Sequence, residues 1–491
     1  MFKSASVSAA QQPCILLGRR LLNTVLLLLT LILLTSGVRA DSVQPWVNVR
    51  DFGAVGNGVA DDSNAIAAAI AAAQQSFPRA AVYIPAGTYR YSRVLKIDGL
   101  MVYGEGADKS TLLASNVERS SLVVTGTAPK ICDLRIRTAV IPTVRDPRSE
   151  ATGLDIYEAT DFTIQRVHVG PVASAGIFVR RSHGSEATPA TIRDCVVEGT
   201  LADGIHMTEG TEFVDVTQNE VFNTGDDFIA VVSYVVNGRL SRRINISKNS
   251  VSVQSHGRGI SVVGGEDVTI DANIIAATAG AGVYIASEDS WNTFGTAGIT
   301  IKDNTLTNVA KDGTGHGGIH LAGRSSHAVR TVFVKGNRVM DTGNSGLYID
   351  SYTQNVRFEG NEIDGAGRNG ITVSRNTADI FIVADGSNLN IIRNCAEYGI
   401  YVDPRNCSGG LKVSGALIQN INTRRYGHID AVNVSEGSSF AWIQLLNIRL
   451  EQPSSGIIER LVESASAIDA ATGNSANRIL ETSVFLSCPL P

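Results

Sequence analysis

The 491-residue chain carries 42 Lys and Arg against 47 Asp and Glu, a net charge of −5. No stretch is basic enough to give a nucleic acid an electrostatic footprint, which excludes that class of partner, while local basic residues leave an acidic polymer open. Cysteine is sparse: Cys14 falls in a leader-like segment, and Cys132, Cys195, Cys395, Cys407 and Cys488 are an odd number, so disulfides do not organise the fold. Cys395 and Cys407 could pair locally or serve as small apolar fillers.

Residues 1–40 read as a signal peptide. Arg19 and Arg20 precede the apolar run Leu21 to Leu34, and Val38-Arg39-Ala40 supplies small residues for cleavage after Ala40. The run falls short of the roughly 18 to 20 residues that cross a bilayer, and no other stretch is long and apolar enough. The expectation is therefore a secreted or periplasmic protein with no stable membrane span. Residues 41–95 are expected to form an N-terminal cap with an opening motif. Within it the alanine-rich segment Asp62 to Gln75 reads as an amphipathic helix, capped by Asp61 or Asp62 and suited to lid whatever follows.

From there the chain repeats. Gly-hydrophobic-x-hydrophobic recurs at Gly153-Leu154-Asp155-Ile156, Gly176-Ile177-Phe178-Val179, Gly204-Ile205-His206-Met207, Gly259-Ile260-Ser261-Val262 and onward to Gly399-Ile400-Tyr401-Val402, with Phe228-Ile229-Ala230-Val231 in the same series. The shortest interval is 23 residues (Gly153 to Gly176), and longer ones imply loops inserted into a single coil. Such a period means a solenoid. Between these copies runs a second signature, each ending in Asn: Asn219, Asn249, Asn273, Asn304, Asn337 and Asn361. An asparagine in the left-handed region at a turn, bonded to its counterpart on the next coil, would hold such a stack together. Apolar alternation over short segments indicates half-buried strands. The predicted fold is all-β: a right-handed, single-stranded parallel β-helix over residues 96–435, with an irregular C-terminal cap over 436–491.

The chemistry gathers on one edge. Asp203 in Ala202-Asp203-Gly204 and the pair Asp226-Asp227 in Gly225-Asp226-Asp227 fall one coil apart, which would set three carboxylates side by side. Clustered carboxylates cut glycosidic bonds by acid/base catalysis, and like-charge repulsion keeps a proton on one of them near neutral pH. Outward positions after each Gly-Ile pair read Phe178, His206, Ala230, Ser261, Tyr284, His320, Tyr348 and Tyr401. An aromatic and imidazole stripe of that kind would let sugar rings stack, so His206, Tyr284, His320 and Tyr348 are candidate substrate contacts. His256 and Arg258 join them, the first to tune the acid and the second to hold an anionic sugar.

The stretch from Val49-Arg50-Asp51-Phe52-Gly53 to Asp61-Asp62, with Ile84-Pro85-Ala86-Gly87-Thr88-Tyr89 behind it, resembles the opening of the pectate-lyase superfamily. It is particularly similar to polygalacturonase-type (family 28-like) glycoside hydrolases, and the resemblance runs from about Val47 to Tyr401. That family carries Asn-Thr-Asp-Gly, Gly-Asp-Asp, Gly-His-Gly and Arg-Ile-Lys on successive coils. Asp203-Gly204 matches the first in part and Gly225-Asp226-Asp227 the second in full. Arg258 stands where the histidine would be, and Tyr284-Ile285-Ala286 replaces the Arg-Ile-Lys that grips a sugar carboxylate. The resemblance implies an enzyme acting on a polysaccharide without cofactor or metal, with Asp226 as acid and Asp203 and Asp227 positioning water, as a monomer. Two alternatives stay open. A polysaccharide lyase or uronate C5-epimerase would hold Ca²⁺ on the same aspartates and use Arg258 as base. A non-catalytic carbohydrate-binding or exopolysaccharide-assembly solenoid would account for the missing Arg-Ile-Lys.

Overall fold

The computed structural model describes residues 45–254, 256–424, 431–435, 440–451, 462–463 and 484–487. The signal-peptide expectation over residues 1–40 lies outside them, as does most of the expected C-terminal cap. Among the described residues no helix is long and apolar enough to cross a membrane.

The strands stack in parallel, coil upon coil, as a β-helix with the right-handed crossover that parallel strands require. One sheet holds fourteen strands in sequence order, from Leu95–Asp98 to Val462–Glu463. Ten of its members are the Gly-hydrophobic-x-hydrophobic series: Ile177–Arg180 pairs with Ile205–Thr208, that with Ile229–Val232, then Ile260–Val263, Val283–Ala286 and Ile319–Ala322, all in strict register. Two further strands complete each coil, such as Glu212–Thr217 and Glu220–Thr224. Alternation sends Ile205, Ile229, Ile260 and Val283 into the interior, where each is fully buried on the residue of the coil before it. Each such side chain contributes roughly 1.5–3 kcal/mol of transfer free energy. The repeat glycines stand where the chain turns into this sheet; a Cβ on Gly204 would meet Val221 Cγ1 at 2.3 Å and the Phe228 carbonyl oxygen at 2.6 Å.

The asparagine ladder is continuous, and its geometry corrects the expected one. The left-handed residue is the one before each asparagine: Gln218 (φ 58), Lys248 (φ 57) and Asp303 (φ 56) make the turn. The asparagine is then free to bond along the stack. The Oδ1 of Asn304 accepts from the backbone N and Nδ2 of Asn273, each at 2.9 Å, and its own Nδ2 donates to Ile270 O at 2.9 Å. Below Asn361 the ladder gains a member the pattern did not reveal, Asn390, whose Oδ1 accepts from Asn361 N at 3.0 Å.

Stacking begins inside the expected cap, where Trp46–Asn48 pairs with Ala81–Ile84, and continues past residue 435, where Trp442–Glu451 pairs with Ser408–Gln419. The helix Ser63–Gln75 packs its buried Ile66, Ala69, Ile70 and Ala73 across strands of the first coil. Asp62 is its N-cap by position, but its carboxylate instead accepts from Val55 N (2.7 Å) and Gly56 N (3.1 Å), while Asp61 accepts from Ser63 N (2.9 Å). The two aspartates thus share the task of seating the helix on the opening motif. Cys132, Cys195, Cys395 and Cys407 are all buried free thiols, so Cys395 and Cys407 act as core fillers and not as a disulfide.

Candidate active site

Three successive turns into the fourteen-stranded sheet carry, two residues before the strand, Asp203, Asp227 and Arg258. The backbone fixes this column: Gly204 N bonds Asp227 O at 2.9 Å and Phe228 N bonds Arg258 O at 3.1 Å. Asp226 adjoins, and carboxylate oxygens of Asp203, Asp226 and Asp227 lie within 4.8 Å of one another. All three line a groove of about 390 Å³ with His206, Arg258, Arg145, Tyr234, Glu288 and Trp291. Gly257 lets the next coil approach this closely. At φ +90 it occupies backbone space that a side chain strains, and a Cβ there would meet Asp226 C at 2.6 Å and Asp227 N at 2.8 Å.

Each carboxylate has a different environment. Asp227 is buried, with one oxygen accepting from Arg258 N at 2.7 Å and the other from the Ser261 hydroxyl at 2.5 Å. Burial pushes its pKa from 3.8 up to about 7; the Arg258 charge opposes the rise, and the charges of Asp203 and Asp226 reinforce it. Asp203 bonds the Nδ1 of His206. Asp226, the most exposed of the three, is paired with Arg145 Nη1 at 2.8 Å. Arg258 is held by Asp227 at 3.3 Å and Glu288 at 3.4 Å, and its guanidinium lies 4.8 Å from the centre of the Tyr284 ring. Burial works to lower its pKa, but Asp227 and Glu288 outweigh it and hold the guanidinium protonated. Three carboxylates could also hold a cation, yet the guanidiniums of Arg145 and Arg258 already supply positive charge to two of them.

The structure brings together Asp203, Asp226, Asp227, His206 and Arg258. It does not bring the remaining candidates to the groove. His256 sits in an exposed bend outside the lining. Tyr284 and His320 are only 5% and 6% exposed, which overturns the expectation of an open stripe. In-register strands lie about 4.8 Å apart, so outward rings on successive coils meet one another. His320 stacks on half-buried Tyr348 at 4.7 Å and meets Tyr284 edge-on at 5.6 Å, while His316, from the loop over 311–318, comes within 5.3 Å of His320. The rings' faces are thereby spent on each other. Conversely, Arg145, Tyr234, Glu288 and Trp291 were not singled out from sequence. They lie on inserted loops, and the only trace of the one bearing Glu288 and Trp291 is the long interval between Gly282 and Gly318.

Residues 46–284 match the family model described as rhamnogalacturonase A/epimerase, pectate lyase-like, which bears out the resemblance over that part of the chain. No curated protein sequence matches. Among solved structures the chain is similar to the catalytic unit of a thermostable GH87 alpha-1,3-glucanase from Streptomyces thermodiastaticus, at 19% identity and a TM-score of 0.52, covering 85% of this chain and 68% of that one. It is also similar to pre-mature gene product 12 of bacteriophage phi29, at 14% identity and a TM-score of 0.55, covering 83% of this chain and 52% of that one. A mannuronan C-5 epimerase A-module from Azotobacter vinelandii follows at 16% identity and a TM-score of 0.49, covering 91% of this chain and all of that one. For the glucanase and the phage protein the likeness is one of fold alone.

Proposed function

We propose that the protein is an exported glycoside hydrolase that cuts a polysaccharide with Asp203, Asp226 and Asp227 and without a metal. The observation that carries this is the convergence of three carboxylates, within 4.8 Å, in an open groove where one is driven toward neutral pKa. Interacting carboxyls titrate as a unit, so near pH 7 the cluster keeps a proton, lodged on buried Asp227 at rest. Asp226 faces the groove, takes that proton from Asp227 and delivers it to the leaving oxygen, while Asp203 and Asp227 hold the attacking water and accept its proton. His206 orients Asp203. The lyase or epimerase alternative asks Arg258 to accept a proton, and its ion pair with Glu288 opposes its deprotonation.

Incubation with a panel of acidic and neutral polysaccharides, with and without chelator, tests this. The expected products are new reducing ends, indifferent to chelator. Asp226→Asn should lower kcat by roughly 10²- to 10⁴-fold while leaving binding nearly intact. Chelator-sensitive release of unsaturated uronate would refute the proposal in favour of the lyase, and binding without product would leave a non-catalytic solenoid.

A further inference from the structure

We propose that this groove takes a neutral sugar chain and that Trp291 is the surface on which one of its rings is laid; the inference rests on the groove being a glycan site. Charge is the first argument. The lining holds four carboxylates, Asp203, Asp226, Asp227 and Glu288, against two guanidiniums, Arg145 and Arg258. Both guanidiniums are already committed to those acids, at 2.8 Å for Arg145 on Asp226 and 3.3 and 3.4 Å for Arg258 on Asp227 and Glu288. A uronate carboxylate would enter a site with a surplus of negative charge, and could gain a cation only by stripping it from a resident acid. Repulsion at such separations is strong wherever water is thinned. With one proton retained by the acids the surplus falls to a single charge, too little to demand a cationic sugar.

The second argument is the wall. Phe178, Ala230, Val232 and Val263 give the groove an apolar floor, and Trp291 stands at its side with 65% of its surface exposed. That exposure is fixed in place by the turn that carries it. Thr293 N bonds Glu288 O at 3.1 Å, Glu288 N bonds the Thr293 hydroxyl at 2.8 Å, and Val235 N bonds Asn292 O at 2.9 Å. Glu288 in the same turn grips Arg258, so the indole is tied to the coil bearing the aspartates. A large apolar ring held out to water beside convergent polar groups suits the C–H face of an uncharged pyranose.

The test uses the unmutated full chain with non-hydrolysable thio-linked oligomers, so that binding is read without turnover and with the groove's charges intact. Neutral oligosaccharides (α- and β-glucans, mannan, galactan and xylan), oligogalacturonates and glucosamine oligomers are titrated by calorimetry and by tryptophan emission at low and high salt. At least one neutral oligomer should bind with little salt dependence and shift the emission. Adding Trp291→Ala should weaken that binding roughly 3- to 10-fold and remove the shift, with Trp291→Phe restoring part of the affinity. Tighter, salt-weakened binding of oligogalacturonate or of glucosamine oligomers would overturn the neutral class. An unchanged affinity in Trp291→Ala would overturn the platform, and binding of no oligomer would overturn both. Absence of products from the unmutated protein, with neutral binding intact, would instead sink the hydrolase and leave this inference standing.

Discussion

Asp227 holds its proton at an energetic profit to the fold, and the sign of that linkage can be worked out. Its folded pKa of about 7 exceeds the ordinary 3.8, so between these values the folded state binds the extra proton. Stability from this group is full below about pH 4 and is lost as pH rises through about 7. Denaturant melts of the wild type should therefore show stability falling over that window, and Asp227→Asn, which is neutral throughout, should flatten the slope. An unchanged slope would place the cluster's proton elsewhere. Gly257→Ala tests the geometry of the same group from the backbone side. Its Cβ has no room beside Asp226 C and Asp227 N, so the aspartate pair must shift. Turnover should drop at least tenfold, in line with the sensitivity of catalysis to misplacement of about 1 Å, while circular dichroism stays that of a β-rich fold.

At the scale of the element, the ladder shows what sequence could and could not tell. The strands were legible because alternation and the Gly-hydrophobic-x-hydrophobic period follow directly from stacking, and the asparagines because they mark the same corner on each coil. Asn390 escaped because the inserted segment 384–389 separates it from its strand, Ala378–Val383, and breaks the spacing the other asparagines keep. The carboxylate column was legible because it rides on the repeat. Arg145 and Trp291 were not, since a loop's aim is set by distant packing and not by its own pattern. Tyr284 and His320 misled for the opposite reason: alternation says that a side chain points outward, not whether neighbouring rings and the 311–318 loop will cover it. The ladder also yields a magnitude. Asn304→Ala removes the acceptor for two buried donors of Asn273 and the donor to Ile270 O. It should cost about 1–3 kcal/mol per group left unpaired, read as a lowered denaturant midpoint.

Across the whole molecule, each coil touches chiefly its two neighbours, so damage should travel only as far as the stack transmits it. The helix Ser63–Gln75 closes one end, with Ala69 and Ala73 fully buried against the first coil. The aspartate column lies several coils further on, beyond the strands Leu122–Thr127 and Leu154–Thr160. Ala69→Glu puts a carboxylate into the seam between lid and coil, where it has neither water nor partner, and the lid should lift. An uncovered coil presents unpaired strand edge to other molecules, so the variant should aggregate on gentle warming where the wild type does not. The fraction that remains monomeric on size exclusion should keep the wild-type affinity and turnover, because the coils that hold Asp203, Asp227 and Arg258 in line are braced by one another. Loss of the site's activity in that monomeric fraction would show instead that the solenoid folds as one unit, with the lid as part of the site's support.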